Sequence, residues 1–132
     1  MSEALIWEVM KSYSSKGMRR THPVGVFTRE KGSLCHKRTL RDSGLARIRA
    51  VDVSINDDGI PVLAIKNANP EESRLPDKMW REVTLSGGVR KALSTTDSLL
   101  SDYKPALKKP AMRKVSAAYM ALARKNKAVA SA

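Results

Sequence analysis

The sequence predicts an α+β fold: a small, mainly antiparallel β-sheet followed by two C-terminal α-helices. Three observations carry this. Val51, Val53 and Ile55 alternate with Asp52, Ser54 and Asn56, the period of two of a half-buried strand, and Asn56-Asp57-Asp58-Gly59 supplies turn chemistry after it. Ile60, Val62, Leu63, Ala64 and Ile65 then form a nearly unbroken apolar run, suited to a strand covered on both faces. Beyond Gly88 the apolar period lengthens to that of a helix, first through Val89, Ala92, Leu93, Thr96, Leu100 and Tyr103. It resumes through Leu107, Ala111, Val115, Ala118, Tyr119 and Leu122. The stretch from Leu45 to Lys66 is thus a hairpin around which the other elements are arranged.

Upstream of the hairpin the alternation changes phase, with Ile48 and Ala50 even and Val51 and Val53 odd, which predicts a bulge or sharp twist near Ala50-Val51. Arg47 and Arg49 then share the face that Val51 occupies further on. Taking the chain in order, Leu5 to Met10 reads as a first strand, because Ser12, Ser14, Ser15 and Gly17 follow at once and leave little length for a helix. Trp7 is expected as a core anchor. Lys16 to Arg20 and Val24 to Thr28 are short extended segments separated by His22-Pro23. Lys31-Gly32-Ser33 is a loop, Cys35 to Arg41 an edge strand or loop, and Asp42-Ser43-Gly44 a turn.

Asn67 to Asp77, with two prolines, is a surface excursion and the expected mobile segment. Met79 to Leu85 returns as a strand or helical turn, and Ser86 is placed to cap the helix beyond it. The first C-terminal helix spans Gly88 to Asp102 and ends at Lys104-Pro105; the second runs to about Lys125. Pro110 falls either in its first turn or at a kink. Residues 126–132 are expected as a frayed tail, and 1–132 as a single domain.

Charge says most about partners. The 132 residues hold 25 Lys+Arg against 13 Asp+Glu, a net +12. Such an excess repels itself and points to a polyanionic partner. Between Lys11 and Arg49 only Glu30 and Asp42 interrupt the positive charges, and after Asp102 eight basic residues follow with no acid. Two basic blocks flanking a mildly acidic middle predict one or two cationic faces rather than a uniformly basic surface.

Other chemistry is not encoded. Cys35 is the single cysteine, and with His22 and His36 it gives no metal-ligand spacing, so no metal and no cofactor are expected. No nucleotide fingerprint is present, and Ser86-Gly87-Gly88 lacks the lysine of a phosphate loop. Asp57-Asp58 and Glu71-Glu72 lie in turn or loop contexts where solvated acids are common, so no catalytic residue and no small-molecule substrate are expected. No apolar run reaches the ~20 residues of a membrane span, and the N-terminus with Glu3 and Glu8 lacks a basic leader, which predicts a cytosolic or nuclear protein.

Several ordered strings resemble one family. Leu5-Ile6-Trp7, Ser14-Ser15, Met18-Arg19-Arg20, Phe27-Thr28 and Leu34 stand in the order found in the eukaryote-type twenty-eighth protein family of the large ribosomal subunit. Thr39-Leu40-Arg41-Asp42-Ser43-Gly44-Leu45 is similar to that family's Ser-Phe-Arg-Tyr-Asn-Gly-Leu, and Val51-Asp52-Val53 begins the matching strand. Tyr103 to Leu107 and Arg113 to Ala117 resemble its Tyr-Arg-Pro-Asp-Leu and Arg-Arg-Ala-Ser-Ala at the same separation. Two departures stand out: Thr28 to Ser33 replaces the family's Thr-Glu-Pro-Asn-Asn loop, and Asp42 replaces an aromatic residue. Pro76 to Leu85 resembles instead a Trp-Glu-Arg-Val-Arg-Leu string of a fold relative, the pre-ribosome assembly factor Mak sixteen. That factor is about twice as long and carries a cysteine cluster absent here.

The resemblance implies a structural constituent of the large subunit. Its partners would be the ribosomal RNA of that subunit and neighbouring ribosomal proteins, in cytoplasmic ribosomes after nucleolar assembly. An assembly factor is the alternative. The expected RNA-binding side chains are Lys16, Arg19, Arg20, Lys37, Arg38, Arg41, Arg47 and Arg49, together with Lys108, Lys109, Arg113 and Lys114. A DNA-reading module is disfavoured because the last helix offers only Asn126 at its end for base contacts. A membrane-surface role lacks bulky apolar residues opposite the basic face.

Overall fold

The hairpin forms as its alternation and turn dictate. In the computed structural model, which describes residues 2–22, 25–69 and 71–130 (backbone only at 18–22 and 73), β3 (Val51–Ile55) and β4 (Pro61–Lys66) flank that turn. With β5 (Trp80–Thr84) they make a three-stranded sheet in the order β3-β4-β5. The Lys66 N–H donates to the Ala50 carbonyl (2.9 Å) and Asn56 to Ile60 (3.0 Å), the converging pattern of an antiparallel pair. Asn67 to Met79 (2.9 Å) and Leu85 to Pro61 (2.8 Å) repeat that pattern between β4 and β5. The central position of β4 explains its apolar run, for Pro61, Val62, Leu63 and Ala64 are all buried. Gly59 turns the hairpin at φ 76°, a region that glycine enters without steric cost. The change of phase upstream has a simpler cause than a bulge: Leu45–Ala50 is irregular chain, and the strand begins only at Val51.

The chain divides into two compact units, residues 1–52 with 65–81 and residues 53–64 with 82–132. In the first, β1 (Gly17–His22) and β2 (Gly25–Thr28) pair antiparallel, with a register shift between Gly17 and Thr21. Chain 36–38 runs beside β2 through a single bridge of Phe27 with Lys37, so Cys35 to Arg41 is half edge and half loop, closing in a 3-10 turn at Leu40–Asp42.

The expected first strand is instead a helix, α1 (Glu3–Met10). Ser2 supplies the N-cap, its Oγ accepting the Leu5 N–H at 3.3 Å, and Glu3 lies in the first turn, where an acid meets the positive end of the helix. Eight residues suffice once the cap is made. Trp7 is half-buried rather than a core anchor, and α1 buries no residue fully.

The second unit ends in α2 (Val89–Tyr103) and α3 (Pro105–Ala130). Ser86 does not cap α2; Gly88 does, at φ 90° and without a side-chain hydrogen bond, because Gly87 and Gly88 turn the chain by positive φ. Pro105 opens α3, where its missing N–H costs nothing, while Pro110 lies at the sixth helical residue, beyond the first turn. Residues 126–130 of the stretch expected as a frayed tail continue α3 to Ala130, and residues 131–132 lie outside the described residues. Ala92, Thr96 and Leu100 of α2 and Leu107, Ala111 and Val115 of α3 are buried, each set spaced by four. Thr96 hides its hydroxyl by donating to the Ala92 carbonyl at 2.8 Å, and the Tyr119 hydroxyl donates to the Leu85 carbonyl.

The two interiors differ in kind. That of the second unit is apolar: Leu63, Leu85, Leu100 and Val115 are almost wholly withdrawn from water, each such side chain contributing about 1.5–3 kcal/mol. The first unit buries Leu34, Ala46, Ala50 and Val51 but also Thr28, Glu30, Ser33, Ser43 and Lys66. Hydrogen bonds and charge hold it together where apolar area is scarce.

Candidate nucleic-acid interface

The basic loop ahead of β3 is fixed from three sides by groups in its own unit. Buried Glu30 accepts the Ser43 hydroxyl (2.6 Å) and the Leu45 N–H (2.5 Å) through the same carboxylate oxygen. Lys66 donates to the carbonyls of Gly44 (2.8 Å), Leu45 (3.4 Å) and Arg47 (2.8 Å). Glu3, at the start of α1, accepts the Ile48 N–H (2.9 Å) and pairs with the Arg47 Nε at 3.5 Å. Gly44 passes so close to the Lys31 carbonyl and the Gly32 Cα that a Cβ would collide with both. Burial pushes the Lys66 ammonium below its usual range, against the opposing pull of Glu30 and Glu3.

This framework divides the expected binding residues into two sorts. Arg41 and Arg49 are exposed at either end of the pinned loop, whereas Arg47 is half-buried and engaged by Glu3. Lys16 and Lys37 are exposed. Arg38 is half-buried, its guanidinium packed over Gly17 and donating to the Lys11 carbonyl at the end of α1. Arg19 and Arg20 lie on β1, and their side chains fall outside the described residues.

On α3, Lys109 and Arg113 are exposed. Lys108 bonds across to α2, to Asp97 at 2.6 Å and to the Ser101 hydroxyl at 3.2 Å, and Lys114 is half-buried. Sequence reasoning missed the continuation. Because the helix runs to Ala130, Arg124, Lys125 and Lys127 belong to it, and residues 123–130 are exposed. At 100° per residue, Lys109, Arg113, Arg124 and Lys127 fall within about 60° of one another on one face. The signal was available, since from Ala111 to Ala130 no glycine or proline interrupts a run rich in alanine, lysine and arginine. No acidic residue occurs anywhere in α3.

What this arrangement can do chemically is bind anions. Among the described residues no group of three or more His, Cys, Asp and Glu side chains is placed to hold a metal ion, and no described helix is long and apolar enough to cross a membrane.

Set beside known protein families, the chain fits the model of the Ribosomal L28e protein family over residues 5–121. No curated protein matches it.

Proposed function

The chain belongs to the Ribosomal L28e protein family, and from that membership we propose that it acts as a structural constituent of the large ribosomal subunit by binding ribosomal RNA. The observation that carries the RNA reading is α3, a helix of 26 residues with seven basic side chains and no acid. Basic side chains displace counterions from phosphates, and the folded RNA is recognised through its backbone and 2′-hydroxyls; no reaction is catalysed. The contact residues are Lys16, Lys37, Arg41, Arg49, Lys109 and Arg113, with Arg19 and Arg20 from β1 and, added from the length of α3, Arg124 and Lys127. Arg38, Arg47 and Lys108 support the scaffold that presents them. Neighbouring ribosomal proteins complete the setting, in cytoplasmic ribosomes after assembly in the nucleolus.

Two measurements test this. The purified chain should bind structured RNA with log affinity falling by roughly five per tenfold rise in salt, if about six phosphates are neutralised. A flat salt response overturns the electrostatic mechanism. Sedimentation of the tagged protein should place it in mature large subunits; confinement to pre-ribosomal particles would favour an assembly factor.

A further inference from the structure

One feature of the first unit enters that function only through Lys16. The last turn of α1 and the turn after it enclose, with Leu45, an open groove of about 540 Å³. Its lining joins apolar Val9, Met10 and Leu45 to the ring of Tyr13, with Ser15 and Lys16 at hand. We propose that this groove receives one unpaired nucleobase extruded from the partner RNA, stacked on Tyr13, with Lys16 meeting its phosphate. The proposal rests on the RNA reading above and adds a site of different chemistry to it.

The groove is preformed. Leu45 is held at both backbone ends, its N–H by buried Glu30 at 2.5 Å and its carbonyl by Lys66 at 3.4 Å. Opposite, the N–H groups of Tyr13 and Ser14 both donate to the Met10 carbonyl at 3.1 Å, and the Ser14 hydroxyl accepts the Lys16 N–H at 3.3 Å. Little ordering remains to be done when a ligand enters. Tyr13 is 88% exposed, and Val9 (63%) and Leu45 (48%) also face water, so an aromatic face and apolar walls stand ready together.

Charge selects the occupant. Lys16 lines the groove, and the nearby acid Glu8 is already paired with Lys11 at 2.5 Å. An apolar side chain of a protein would fill the groove without needing cations around it. An aromatic face beside an ammonium group is the combination that holds an unstacked base and its phosphate.

The experiment compares two hairpin RNAs, identical except that one carries a single unpaired adenosine, binding to the full chain and to Tyr13→Ala and Tyr13→Phe. Stacking predicts a preference of about tenfold for the bulged hairpin in the parent, retained by Tyr13→Phe. Tyr13→Ala should bring the two hairpins to the same affinity. Equal binding of both hairpins by the parent, with the expected salt dependence, removes the groove proposal and leaves the RNA reading standing; binding of neither removes both. A photo-crosslinker at position 13 that captures protein rather than RNA in ribosomal particles also overturns the groove proposal.

Discussion

Lys66 closes an apolar strand, where a lysine ordinarily marks the return to solvent, yet it is only 8% exposed and donates to three carbonyls of the loop at 44–47. Periodicity could not show this, because the groups that receive the ammonium lie some twenty residues away in sequence and meet it only after folding. Removing the charge is therefore expected to loosen the loop that displays Arg41 and Arg49. Lys66→Met leaves the carbonyls without their donor and takes the Lys66 charge away from Glu30, and should cost about 3 kcal/mol in urea unfolding at neutral pH. The titration gives an independent sign. Because the folded chain holds the Lys66 proton less tightly than the unfolded chain, the unfolded state binds more protons between the lowered value and 10.5, and stability rises with pH across that window. Lys66→Met lacks this contribution, so the gap between parent and variant should widen as unfolding is repeated at rising pH toward 10. A constant gap would mean that Lys66 keeps its ordinary proton affinity.

Among the elements, α3 separates its faces most cleanly. Substituting Lys109, Arg113, Arg124 and Lys127 together by Gln touches exposed positions and keeps helix propensity nearly level while relieving like-charge repulsion, so the melting temperature should hold or rise slightly. RNA affinity should fall, with the salt slope reduced by up to ~0.9 for each phosphate no longer neutralised. Unchanged RNA binding would make the helix scaffold only and move the interface to β1 and the loop at 41–49. Lys108→Gln alone should act differently, costing up to ~1 kcal/mol of stability through loss of the Asp97 pair, a small effect because both side chains are partly exposed. Val115→Asp, at a position with no exposure, buries an unpaired carboxylate and should unfold the unit, as far-UV circular dichroism would report. The stripes of α2 and α3 were legible because a period of 3.6 needs only residue type and spacing. The hairpin was legible because an alternating strand, Asp58-Gly59 and an apolar strand agree with one another. In α1 the deciding signal was a single serine ahead of the helix, and the apolar residues at 5, 7 and 9 mimicked a strand while two of them, Leu5 and Val9, faced water.

Across the whole molecule, positive charge is spread over both units, 15 basic against 8 acidic residues in the first and 10 against 5 in the second. Composition alone pointed to a polyanionic partner. Which cations are held inside the fold was not legible in the sequence, since the engagement of Arg47 by Glu3 and of Lys108 by Asp97 depends on folding. Each strand of the three-stranded sheet gives residues to both units, and we propose that they unfold as one domain. Calorimetric and van't Hoff enthalpies should then agree, whereas two resolved transitions would refute this. The acid-free helix has one more effect, on the protein while it is alone. Lys109 and Arg113, and Arg124 and Lys127, are like charges a turn apart, each pair opposing helix formation by roughly 0.2–0.5 kcal/mol. Dissolved ions screen that repulsion as surely as they would compete for phosphate, so brine, which would weaken the proposed grip on RNA, should leave the last helix more fully formed than dilute buffer does.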